Sequence, residues 1–125
     1  MSNERVLISS GSPREPILGY SRAVKVGAQV FVAGTTSGGV APHDAPEQAR
    51  EIFRRIEKAL ADAGATLNDV VRTRVYLTNF ADFDAVGEVH GEIFGEIRPA
   101  SAVLVVSALA SPELVVEVEA DAVIA

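Results

Sequence analysis

Apolar positions recur with period two toward both ends of this chain and with helical spacing through its middle. Val6-Leu7-Ile8-Ser9 is a short β-branched run, and Gly11, Pro13, Pro16 and Gly19 after it mark a loop. Residues 23–26 and 29–33 flank Gly27-Ala28, the spacing of a tight hairpin. A loop follows from Gly34 to Pro46. The period then changes. Ala49, Ile52, Phe53, Ile56, Ala59, Leu60 and Ala63 share one helical stripe, while Arg50, Arg54, Arg55 and Lys58 take the other faces. Asp44 predicts the N-cap, with Glu47 completing an Asp version of the capping box, and Gly64 predicts a left-handed C-terminal residue.

Residues 70–77 read as a strand with Arg72, Arg74 and Tyr76 on one face and Val71, Thr73, Val75 and Leu77 on the other. A second helix runs from Asp82 to near Gly95 and buries Val86, Val89, Ile93 and Phe94. Gly87 and Gly91 lie on it, each costing about 1 kcal/mol against Ala, so close packing on a neighbouring backbone is the expected reason for them. Arg98-Pro99 precedes a strand over 102–107. In the last strand Val116, Val118, Ala120 and Ala122 alternate with Glu117, Glu119 and Asp121.

The resulting order, β-β-β-α-β-α-β-β, predicts one α+β domain over residues 1–125. It is a six-stranded mixed sheet with two helices on one face and the strands at the two ends pairing as hairpins. The other face carries Arg72, Arg74, Tyr76, Glu117, Glu119 and Val123. Such a half-apolar, oppositely charged surface suits a subunit interface in a small closed oligomer.

Composition narrows the chemistry. The 125 residues include no cysteine, which removes disulfides, thiolate nucleophiles and thiolate metal sites. At 48% apolar the chain is too hydrophobic for disorder, yet its longest wholly apolar run, 102–106, falls far short of the roughly 20 residues that span a bilayer. The start, Met1-Ser2-Asn3-Glu4-Arg5, lacks a signal-peptide layout, so a cytoplasmic location is expected and no membrane partner. A net charge of −6 with scattered arginines disfavours nucleic acid. His43 and His90 have no acidic ligands at metal spacing, so no metal is expected. Gly34 to Gly39 either cradles an anion with backbone N–H groups or is simply a flexible loop. Arg72/Arg74 and Glu117/Glu119 either bridge across strands or line a cleft in which a carboxylate is held and a water deprotonated.

Five segments resemble one family. They are Gly19-Tyr20-Ser21-Arg22-Ala23-Val24, Val30-Phe31-Val32-Ala33-Gly34, Val70-Val71-Arg72-Thr73-Arg74-Val75-Tyr76-Leu77-Thr78, Phe94-Gly95-Glu96-Ile97-Arg98-Pro99-Ala100 and Val116-Glu117-Val118-Glu119-Ala120. In order and spacing they are similar to the RidA/YjgF family, also labelled endoribonuclease L-PSP. The resemblance implies a chorismate-mutase-like fold, a barrel-like homotrimer and clefts between neighbouring subunits. It also implies hydrolysis of reactive 2-enamines and 2-imines to 2-keto acids and ammonia, with a small carboxylate or imine as partner and no cofactor.

Carried over by position, Glu117 matches the glutamate that positions the attacking water, and Tyr20 matches the tyrosine near the cleft. Gly34 matches the glycine of a Ser-Gly pair whose serine is Ala33 here. The family's Arg-Pro-Ala-Arg-Ser motif reads Arg98-Pro99-Ala100-Ser101-Ala102, so Ser101 stands where an arginine clamps the substrate carboxylate. Val103 replaces the usual Cys or Thr, and His90 falls where many members have tyrosine. Arg74 is the candidate replacement cation. Two readings stay open. One is a divergent imine/enamine deaminase with weakened or altered specificity; the other is a non-catalytic trimer that binds a small ligand or acts as a scaffold. Ribonuclease activity fits poorly with the acidic charge and the absence of a general-base histidine pair.

Overall fold

The computed structural model describes residues 4–125. Six strands form one mixed sheet: β1 (Arg5–Ile8), β2 (Ala23–Val26), β3 (Gln29–Thr35), β4 (Val70–Leu77), β5 (Ala100–Val105) and β6 (Val116–Val123). Their order across the sheet is β1-β2-β3-β6-β4-β5, antiparallel throughout except for the β4–β5 pair. Helices α2 (Ala45–Asp62) and α3 (Phe83–Phe94) supply the second layer. Ile52, Ile56 and Leu60 of α2 and Val86, Val89 and Phe94 of α3 join Val30, Val75, Leu77, Val116 and Val118 of the sheet in one core. Each of these larger side chains contributes about 1.5–3 kcal/mol by leaving water. The α+β architecture is as expected. No helix among the described residues is long and apolar enough to cross a membrane.

Helix α2 follows its sequence pattern closely. The Asp44 side chain accepts from the Glu47 N–H at 3.2 Å, and Gly64 adopts φ +83 just past the C-terminus. The capping box is only half made, because the Glu47 carboxylate turns to Arg50 at 2.8 Å. One residue on the buried stripe is polar. Gln48 is fully buried; its Nε2 donates to the carbonyls of Ala41 (3.0 Å) and Glu113 (2.7 Å), and its Oε1 accepts from the Val115 N–H (2.9 Å). A single amide thus ties α2 to the loop before it and to the segment leading into β6.

Five local expectations are corrected. The segment after β1 contains a short helix, α1 (Arg14–Leu18), where Pro16 is tolerated because first-turn N–H groups need no helical partner. Gly19 ends α1 at φ +77. The strands at the chain's end do not pair as a hairpin: β6 inserts between β3 and β4, leaving β5 on the sheet edge. β5 also begins at Ala100, after Arg98 closes α3 at φ +55 with its N–H on the Phe94 carbonyl (2.8 Å). In β4 a bulge between Val70 and Arg72 shifts the alternation, so Val70 is buried and Val71 is exposed. Finally, no close backbone packing explains Gly87 and Gly91 among the described residues: a Cβ at either would meet open space.

The face of the sheet away from the helices combines charge with apolar area. Leu7 and Phe31 are exposed on it, and all six residues of β5 are exposed at the edge. The register places Arg74 opposite Glu119 and Tyr76 opposite Glu117, but the side chains meet diagonally. Arg74 reaches Asp121 at 3.4 Å, and the Tyr76 hydroxyl donates a hydrogen bond to Glu119. That bond holds the Tyr76 hydroxyl above its ordinary titration range.

Candidate functional site

The chain turn that ends α1 begins the site. Gly19 in its left-handed conformation delivers Tyr20, whose N–H bonds the Glu15 carbonyl at 3.0 Å, and Arg22 follows at a bend just before β2. Glu15 is itself buried and holds the Ser10 N–H at 3.1 Å; hydrogen bonding from Ser10 keeps its carboxyl below the ordinary range. The strand β3 runs alongside, its register against β6 shifting between Val32 and Thr35. This irregularity lies at Gly34, against β6.

Glu117 occupies the space that Gly34 leaves. A Cβ at position 34 would overlap Glu117 Oε2, so a larger residue there would make this carboxylate shift from its present place. Tyr20, Arg22, Gly34, Thr35 and Glu117 line one cleft of about 910 Å³, walled on its far side by α2 and by the segment around Leu114. That volume lies within the range of small-molecule sites. Burial pushes the Glu117 carboxyl above its ordinary value, repulsion from Glu119 adds to this, and Arg22 pulls the other way.

Arg22 was not singled out from the sequence, although it follows Tyr20 at the two-residue spacing that puts extended side chains on one side. Its Nη1 donates to the Gly34 carbonyl (3.0 Å) and to Thr35 Oγ1 (2.7 Å). Its guanidinium carbon lies 5.7 Å from the Tyr20 ring centroid.

The other sequence candidates lie elsewhere in the chain. Ala33 and Tyr20 line a neighbouring groove with Phe31 and Glu119. Arg74 is paired with Asp121 and does not line the Glu117 cleft. Ser101 and Val103 stand on edge strand β5, in register with Thr73 and Val75, which face the helices. Thr73 Oγ1 hydrogen-bonds Ser101 Oγ and His90 Nε2, both at 2.8 Å. His90 packs edgewise on Phe53 (5.9 Å between centroids) and lies 4.7 Å from the Phe94 ring. Burial lowers its pKa and favours the neutral ring. Within one chain, therefore, Tyr20, Gly34 and Glu117 come together, whereas Ser101, Val103 and His90 belong to the opposite side of the sheet. The described residues contain no cluster of three or more His, Cys, Asp or Glu placed to hold a metal ion.

Comparison with known proteins adds an independent view. The family model described as endoribonuclease L-PSP matches residues 11–124. A solved Mycobacterium tuberculosis structure, described as a member of the YjgF/YER057c/UK114 family, is 52% identical with a TM-score of 0.91, covering 97% of this chain and all of that one. An uncharacterized Streptomyces coelicolor protein is 39% identical over 98% of this chain and 95% of its own length. The 2-iminobutanoate/2-iminopropanoate deaminase of Mus musculus is 33% identical over 95% of this chain and 91% of its own.

Proposed function

Because the chain belongs to the RidA/YjgF family, also described as endoribonuclease L-PSP, we propose that its cleft hydrolyses small reactive 2-imino acids to 2-keto acids and ammonia. The observation that carries this reading is Glu117, a half-buried carboxylate with a raised pKa, seated over a glycine in an open cleft. A carboxyl poised closer to neutrality serves as both base and acid. Starting from the protonated imine, Glu117 takes a proton from water as the water oxygen bonds to the imine carbon, giving a neutral carbinolamine. Glu117 returns that proton to the amino nitrogen and takes the hydroxyl proton as the C–N bond breaks and the C=O forms; the departing ammonia carries that last proton away as ammonium. One water is consumed and no electrons change hands.

The finer part of the proposal is an altered specificity. Ser101 carries no charge, and its hydroxyl is engaged by Thr73, so it supplies no substitute for a guanidinium at that position. A charge-assisted bond there would contribute about 1.5–3 kcal/mol. The same observation supports the second reading, a non-catalytic small-carboxylate binder. We further propose that the exposed β5 edge and the charged sheet face are covered in a homotrimer, which the exposed Leu7, Phe31 and Leu104 support.

Generating 2-iminobutanoate in situ with an amino acid oxidase and trapping it with semicarbazide separates the two readings. Adding the protein is expected to lower the semicarbazone yield; an unchanged yield would leave only the binding reading. Light scattering is expected to return three times the 13.1 kDa chain mass, and a monomer would contradict the assembly.

A further inference from the structure

We propose that Arg22 is the residue that binds the carboxylate of the substrate in this chain. The assignment deepens the deaminase reading and rests on it for the identity of the ligand, but its own basis is the set of cations around the cleft. Four line it: Arg14, Arg22, Arg55 and Lys58. Arg55 is committed to Glu51 at 2.8 Å, Lys58 to Asp62 at 3.0 Å, and Arg14 is exposed. Arg74, outside the cleft, is committed to Asp121. Arg22 alone is partly buried there and forms no ion pair among the described residues.

Its hydrogen bonds leave a particular edge free. Both partners of Arg22, the Gly34 carbonyl and Thr35 Oγ1, are neutral and both are served by Nη1. Thr35 is buried and spends its own proton on the Ala33 carbonyl at 2.8 Å, which fixes it as an acceptor. Nε and Nη2 remain without a partner among the described residues, and together they form the fork that takes a carboxylate through two parallel N–H···O bonds. The Tyr20 ring beside the guanidinium limits its swing. The Arg22 guanidinium forms no ion pair with Glu117 but shares one cleft with it and acts on it through space, so an acid clamped by Arg22 carries its adjacent C2 into the space that Glu117 faces.

Binding of 2-oxobutanoate to the intact protein, followed by calorimetry or ligand NMR, tests this without requiring turnover. Arg22→Gln is expected to weaken binding roughly 10- to 100-fold, the range for losing a charge-assisted bidentate contact. Arg54→Gln removes the same formal charge from an exposed α2 ion pair and is expected to change binding less than about 2-fold. Arg22→Lys, which keeps the charge but loses the fork, is expected to fall between them; it also serves should the glutamine variant fail to fold. Binding by Arg22→Gln equal to wild type, equal losses in both glutamine variants, or no binding by the wild type overturns the assignment. Arg22-dependent binding without imine hydrolysis would uphold Arg22 and sink the deaminase reading. Hydrolysis that survives in Arg22→Gln with 2-oxobutanoate binding unchanged would do the reverse.

Discussion

Replacing Glu117 with Gln should remove imine hydrolysis and at the same time make the protein more resistant to heat at neutral pH. The loss expected for a general acid–base group is roughly 10²- to 10⁴-fold in kcat. The gain in stability follows from the same carboxyl. Its pKa in the folded chain lies above the ordinary 4.5, so the folded state holds the proton more tightly than the unfolded state does. Stability therefore falls as pH rises from the unfolded value through the folded one, and above both the charge is a net penalty. Glutamine removes that penalty. Melting curves of the two proteins should diverge at pH 7 and converge below pH 4.5, while wild-type activity should decline on the acid side at a higher pH than an ordinary glutamate would dictate. Equal melting differences at both pH values, or activity retained in the variant, would contradict the assignment of Glu117.

Gln48→Met, far from the cleft, should destabilise the fold by about 3 kcal/mol. The carbonyls of Ala41 and Glu113 each keep another donor, the N–H groups of Asp44 (3.1 Å) and His43 (3.0 Å). Among the described residues the Val115 N–H bonds Gln48 Oε1 alone and would be left partly buried and unpaired, which costs about 1–3 kcal/mol; two further lost bonds add about 1 kcal/mol each, less what the methionine recovers by burial. For a chain of this size that corresponds to a melting temperature lower by roughly 10 °C. A shift of only a degree or two would show that a water or a rearranged loop replaces the amide.

Sequence patterns disclosed most of the architecture wherever one face of an element meets the core and the other meets water. Helix α2 is such a case, as is β6, where alternate residues from Val116 to Ala122 are buried. The reading failed where a local event breaks the period. The β4 bulge moved Val71 outward, and no spacing rule marks a bulge in advance. A five-residue helix is too short to show a period, so α1 passed for a loop. The position of β6 depends on which strands meet in three dimensions, and adjacency in sequence favoured the wrong partner. Tyr20, Gly34 and Glu117, which share the cleft, were singled out through resemblance to a family, whereas Arg22 in the cleft and Gln48 in the core were not. Both are polar residues whose roles come from backbone groups many positions away, Gly34 for one and Val115 for the other.

The placement of β6 also bears on how the molecule is made. It pairs with β3 on one side and β4 on the other, yet it is the last of the six strands to leave the ribosome. Until then two partial sheets, each with an unsatisfied ladder of backbone groups, wait for the strand that joins them. A nascent chain halted before residue 116 cannot acquire the native arrangement, and cooperative folding is deferred until synthesis has passed that point.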